Sequence, residues 1–70
     1  MKISARNQLK GKVIQVEEGL ITAKVKLDLG NGNIITAIIS KDAITDLDLK
    51  KNDNAVAIIK STEIIIGKIE

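Results

Sequence analysis

Apolar and polar positions alternate strictly over residues 21–29, with Ile21, Ala23, Val25, Leu27 and Leu29 on one parity and Thr22, Lys24, Lys26 and Asp28 on the other. A period of two predicts a strand with one buried face. Residues 9–16 predict an earlier strand, in which Gly11 marks a bulge or a close backbone approach. Glu17-Glu18-Gly19 is the turn between the two. Gly30-Asn31-Gly32-Asn33 supplies positive φ at little cost and closes a second hairpin into a strand over residues 34–39. The period then changes: within residues 41–48, Ala43, Ile44 and Leu47 fall on one face of a short helix, with Ser40 as its N-cap. A polar turn at residues 50–54 leads to strands over 55–60 and 64–69, joined by Ser61-Thr62-Glu63. The order β-β-β-α-β-β predicts an all-β fold, a small OB-like five-stranded Greek-key barrel with one short helix between strands 3 and 4. Residues 1–70 form a single domain with no linker, repeat or low-complexity segment.

Several of these strands are apolar on both faces. Ile34-Ile35, Ile38-Ile39, Ile58-Ile59 and Ile64-Ile65-Ile66 offer more apolar surface than one small interior can take. A chain of 70 residues without cysteine, and without histidine for a structural zinc, has little else to reinforce its core. Association between subunits is the expected cover for the second faces.

Composition removes much chemistry. The chain has no His, Cys, Phe, Tyr or Trp, which excludes Ser-His-Asp and Cys-His nucleophiles, zinc fingers, disulfides, and haem or iron-sulfur ligation. The absent aromatics also remove the usual platform for stacking bases. Eleven basic against nine acidic side chains give a formal charge of +2, too small for a nucleic-acid arm but suited to small anions. No stretch has the length of a signal peptide's apolar core or a membrane span, so a cytoplasmic location without membrane contact is expected.

Three clusters of polar groups stand out. Ser4-Ala5-Arg6-Asn7-Gln8 brings a hydroxyl, a guanidinium and two amides just before the first apolar strand. Lys60-Ser61-Thr62 joins an ammonium, two hydroxyls and successive backbone N–H groups at a strand end, where turns form anion-binding nests. Ser40 stands at a helix start, whose free N–H groups also favour anions. The bland readings are a solvated tail, a polar connection and a plain N-cap.

Taken together these clusters resemble the molbindin family. Ser4-Ala5-Arg6-Asn7-Gln8-Leu9-Lys10-Gly11 is similar to its opening signature, Thr36-Ala37-Ile38-Ile39-Ser40 to its central segment and Lys60-Ser61-Thr62 to its late motif, across essentially the whole chain. The resemblance implies a free-standing Mop domain, a homo-hexamer built as a trimer of dimers, that binds molybdate or tungstate between subunits and catalyses nothing. It carries over Ser4 and Arg6, Ala5 and Asn7 through their backbone, Lys60 and Ser61, and less directly Ser40; no further cofactor is implied. Asp48 departs from the family's usual Gly in the Leu47-Asp48-Leu49 turn. The function expected is storage and buffering of the oxyanion in molybdenum homeostasis. Two rival readings are an OB-type nucleic-acid-binding module, against which stand the missing aromatics and the dispersed lysines, and a ligand-free oligomeric scaffold. A phosphate loop at Gly30 and Gly32 lacks the rest of its pattern, and the carboxylates lack EF-hand spacing.

Overall fold

A computed structural model describes all residues 1–70. Strand β1 (Asn7–Glu18) pairs antiparallel with β2 (Thr22–Gly30), which pairs with β3 (Asn33–Ser40); helix α1 (Lys41–Leu47) follows, and β4 (Asn54–Ile59) returns to the other side of β1. The sheet order β3-β2-β1-β4 leaves β3 and β4 as its edges.

Register explains the curl. Residues 7–12 of β1 pair with β4, whereas Lys12, Val13 and residues 15–18 pair with β2, so β1 changes partner in mid-strand. Two features sit at that change. The register with β2 shifts between Val13 and Gln15, a bulge that bends the strand. Gly11 lies so close to β2 that an added Cβ would stand 2.5 Å from the Asp28 carbonyl oxygen and 2.9 Å from Leu27 Cγ. Of the two readings of Gly11, the close approach is the one realised.

The inner parity carries the core: Val13, Ala23, Val25, Leu27 and Ile44 are buried, and Val16, Leu29, Ile39, Leu49, Ala55 and Ala57 pack against them. Val13, fully buried, faces Leu27 and also ties β1 to the turn before β4, its N–H donating to Asp53 O at 2.9 Å and its carbonyl accepting from Asn52 N at 2.7 Å. On the outer parity Lys12 stands opposite Asp28 and Glu17 opposite Lys24, pairings of opposite charge that favour this register.

The turns follow their residues. Asn31 and Gly32 both have positive φ between the paired residues Gly30 and Asn33, as a two-residue I′ hairpin requires. Ser40 Oγ accepts from Ala43 N at 3.0 Å as the N-cap of α1. Asp48 takes the left-handed conformation (φ 49°, ψ 47°) beyond Leu47; Leu49 N donates to Ile44 O and Asp48 N to Thr45 O, closing the helix in a Schellman motif that glycine usually ends. The turn geometry is therefore kept despite the missing Gly. Asp48 also accepts from Lys50 Nζ at 2.9 Å, and this bond holds the exposed ammonium above the ordinary lysine value.

The elements fall where the pattern predicts them, with β1 extended by two residues at each end. Ile21, expected as the first inward residue of the second strand, instead lies in the turn and is exposed. The fifth strand is the main difference. Residues 64–69 make no ladder; they leave a 3-10 turn, η1 (Ser61–Glu63), unpaired and largely exposed. An Ile-rich segment is ready for a sheet, but a strand exists only beside a partner, and residues 64–69 pair with no strand of their own chain.

Two substitutions test this account by thermal and chemical denaturation. Gly11→Val is expected to destabilise by about 3 kcal/mol or more, because backbone cannot yield as a flexible side chain can. Asp48→Gly is expected to hold or raise stability and Asp48→Val to lower it by about 1–2 kcal/mol, the usual penalty for a side chain in the left-handed region. The raised Lys50 value means that its pairing with Asp48 adds stability below the free lysine value and loses it as pH rises through the folded one.

Candidate functional site

The β1–β4 ladder brings the two outer motifs together. Asn7, the first residue of β1, stands opposite Ile59, the last of β4. Its side-chain Nδ2 donates to Ile59 O at 3.2 Å, fastening the strand starts across 52 residues of sequence. Arg6 and Lys60 are the residues next to this pair in the chain, just outside the ladder. Gln8 Nε2 donates to Ala5 O at 2.9 Å and folds the preceding residues back over the strand start.

The groups gathered there are donors without partners. Ser4, Arg6, Lys60 and Ser61 engage in no side-chain hydrogen bond and no ion pair within the chain, whose single ion pair is Lys50–Asp48. The η1 turn has no side-chain cap; its internal bonds run from Glu63 N to Lys60 O and from Ile64 N to Ser61 O, so the N–H groups of Ser61 and Thr62 stay free. Two cations, Arg6 and Lys60, flanking one ladder end with no bound carboxylate raise the local potential and favour an anion. Glu63, in the same turn, is the one acid nearby in sequence, and sequence reasoning gave it no part.

Ser40 lies elsewhere. It pairs with Thr22 at the end of the sheet where Ala23 meets Glu18, the far end of β1 from Asn7. Within one chain the Asn7–Ile59 pairing thus sets the segments holding Ser4, Ala5, Arg6, Lys60 and Ser61 at one end of β1, and Ser40 at the other. As an N-cap its Oγ uses an acceptor lone pair, and the O–H remains available as a donor.

No cleft encloses the cluster within one chain. An open groove on one side is lined by Lys10, Gly11, Asn54, Ala55 and Val56, and a second, wholly apolar cleft lies between β3 and β4. Ser4, Ala5, Arg6, Asn7, Lys60 and Ser61 line neither. No group of three or more His, Cys, Asp or Glu side chains is placed to hold a metal ion, and no helix is long and apolar enough to cross a membrane.

The chain is similar to known proteins over nearly its whole length. The TOBE domain model matches residues 3–66. The chain is 53% identical over 66 residues to "Molybdenum-pterin-binding protein 3" of Clostridium pasteurianum, covering 94% of this chain and 97% of that one. Among solved structures it is similar to MopII of Clostridium pasteurianum, with 46% identity and a TM-score of 0.89 over 96% of this chain and all of that one. It is similar also to a molybdate-binding protein of Sporomusa ovata, with 38% identity and a TM-score of 0.90 over 97% of this chain and all of that one.

Asn7→Ala is expected to lower stability by about 1 kcal/mol through loss of the bond to Ile59 O. Amide hydrogen exchange should show the loss concentrated at the Asn7 and Ile59 end of the ladder; protection that falls evenly across the sheet would contradict the fastening role.

Proposed function

The chain belongs to the TOBE-domain family, and on that premise we propose that it binds molybdate, and tungstate equally, at sites between copies of itself. The role is storage and buffering of the oxyanion in the cytoplasm, in a homo-hexamer built as a trimer of dimers. The observation that carries the reading is the pairing of Asn7 with Ile59 at the end of the β1–β4 ladder, which draws the opening and late motifs, with their uncommitted hydroxyl and backbone donors, to one end of the sheet. Similarity to a molybdate-binding protein over nearly the whole chain supports the choice of anion. The open, one-walled form of the cluster supports a site completed by a second copy, which also supplies a route for Ser40 to reach the anion.

The chemistry selects among anions. Molybdate at neutral pH is a fully deprotonated tetrahedral dianion, and its host needs donors only. Ser4, Arg6, Lys60, Ser61 and the backbone N–H groups of Ala5 and Asn7 are the donors assigned to it. Phosphate keeps a proton for much of its population at that pH; a site without an acceptor leaves this proton unpaired, at about 1–3 kcal/mol. Sulfate carries no proton and is rejected by size, because a cavity set for longer metal–oxygen bonds stretches its hydrogen bonds. Tungstate, nearly isosteric with molybdate, passes both filters.

Titration calorimetry of the dialysed protein with molybdate, repeated in excess phosphate and in excess sulfate, tests the reading. Saturable binding that survives both competitors is expected. Lys60→Ala should weaken it about tenfold or more, the value of one charge-assisted hydrogen bond, and Lys24→Ala on the outer face of β2 should leave it unchanged. Equal losses in the two variants would remove the localised site, and absence of heat would remove the function.

A further inference from the structure

A peptide group is planar and trans, so its N–H points opposite to its C=O, and whatever fixes a carbonyl aims the N–H of the next residue. At the end of the sheet where β1 starts and β4 stops, the backbone N–H groups of Arg6, Lys60, Ser61 and Thr62 make no hydrogen bond within the chain. Yet the carbonyl on each of these four peptides is held. Two are held by backbone: Lys60 O accepts from Glu63 N at 2.9 Å and Ser61 O from Ile64 N at 3.5 Å, inside η1. The other two are held by side chains. Gln8 Nε2 donates to Ala5 O at 2.9 Å, on the peptide that carries the Arg6 N–H, and Asn7 Nδ2 donates to Ile59 O at 3.2 Å, on the peptide that carries the Lys60 N–H.

Adjacent positions make this division possible. Successive side chains of a strand leave on opposite faces, so Asn7 reaches across the ladder to the late motif while Gln8 reaches back over the opening one. Gln8 is exposed and its bond spans three residues, so it contributes little to holding the sheet together. Gln15 is the contrast: it too is exposed on β1, but its amide reaches a carboxylate, Glu17 Oε2, at 3.4 Å and holds no backbone. A carbonyl that accepts a hydrogen bond also polarises its own peptide, which makes the N–H on the other side a stronger donor. The two η1 peptides are fixed whatever side chains they carry; the Arg6 and Lys60 peptides depend on the residue types at positions 7 and 8.

We propose that Asn7 and Gln8 are positioning residues of the oxyanion site. Their side-chain amides hold the Ile59–Lys60 and Ala5–Arg6 peptides so that the N–H groups of Lys60 and Arg6 stand ready as donors, and neither amide touches the anion. The inference rests on the reading of an oxyanion site at this end of the sheet and adds two backbone donors to those already assigned. It also gives the two amides of the opening motif a part distinct from that of its hydroxyl and guanidinium. Donors fixed before the anion arrives lose no freedom when it binds, which is where a supporting hydrogen bond has its effect on affinity.

Amide ¹H–¹⁵N spectra and calorimetry with molybdate test this together. In the unmodified protein, saturating molybdate is expected to move the Arg6 and Lys60 amide resonances downfield. Gln8→Met, of equal length but without a donor, is expected to weaken binding about tenfold, the value of one hydrogen bond to a charged group. At saturation it should also reduce the shift at Arg6 while the shift at Lys60 persists. Asn7→Leu should do the converse, and Gln15→Met should change neither shift nor affinity. A merely structural part for Gln8 would move both resonances alike, and that result overturns the proposal, as does a Gln8→Met protein that binds as tightly as the unmodified one. Should a variant not fold by circular dichroism, the unmodified protein still decides: heat of binding with unmoved Arg6 and Lys60 resonances overturns the positioning role alone. No heat in the unmodified protein overturns the oxyanion reading and the positioning role with it.

Discussion

β1 must serve two neighbours in succession, and the way it does so determines the rest of the chain. Its first half is held by β4 and its second half by β2, with the transfer at Lys12 and Val13. A straight strand could not do this while keeping one parity inward on both sides. The bulge between Val13 and Gln15 supplies the bend, and Gly11 lets the backbone of β1 come against that of β2 where any side chain would collide with Asp28. Val13 is fully buried because three elements converge on it at this point. The partner change also frees the start of β1 to lie beside the end of β4, which is what sets the opening motif against the late one.

The fold was legible where its signals are local. Strict alternation identified β2, the Gly-Asn-Gly-Asn stretch its hairpin, and the shift of period with Ser40 the helix, and these stand with small changes of boundary. Gly11 was legible as a special position but not in kind, since bulge and close approach leave the same mark in a sequence. Residues 64–69 show the limit: β-branched, apolar composition reports readiness to pair and carries no information about whose edge is available. The sheet edges depend on tertiary register, and η1 depends on hydrogen bonds local to Lys60–Glu63 that no periodicity announces.

The donor clusters of the candidate site were legible in composition, but their grouping into one site rested on motif resemblance. The opening and late motifs are drawn to one end of the sheet by the pairing of Asn7 with Ile59, a contact between the ends of the chain that spacing cannot reveal. Ser40 was grouped with them by the same resemblance, yet register puts it at the opposite end of β1. A motif records which residues share a ligand in an assembly, whereas a single chain records only those that share a ladder end. Asp48 makes the complementary point: a departure from the family's usual glycine left the turn intact, because aspartate tolerates the left-handed region better than most side chains.

Unpartnered donors and unpartnered apolar surface are two sides of one arrangement on the proposed reading. An anion that needs a full shell of donors cannot be enclosed by one strand end, and exposed isoleucines are left without cover in a single chain; on the proposed reading a second copy answers both needs. The two are then thermodynamically linked. An anion bound only by the associated form stabilises association in proportion to the logarithm of its concentration above the dissociation constant, and association in turn tightens the site by the same free energy. The balance is set by burial that does not involve the anion. On the proposed reading, apolar contact would hold the copies together when the site is empty, and the anion would fill a shell already built. Preorganisation of that kind keeps the donors spaced for a large tetrahedral ion without contraction around a smaller one, which is the condition that rejection of sulfate by size demands.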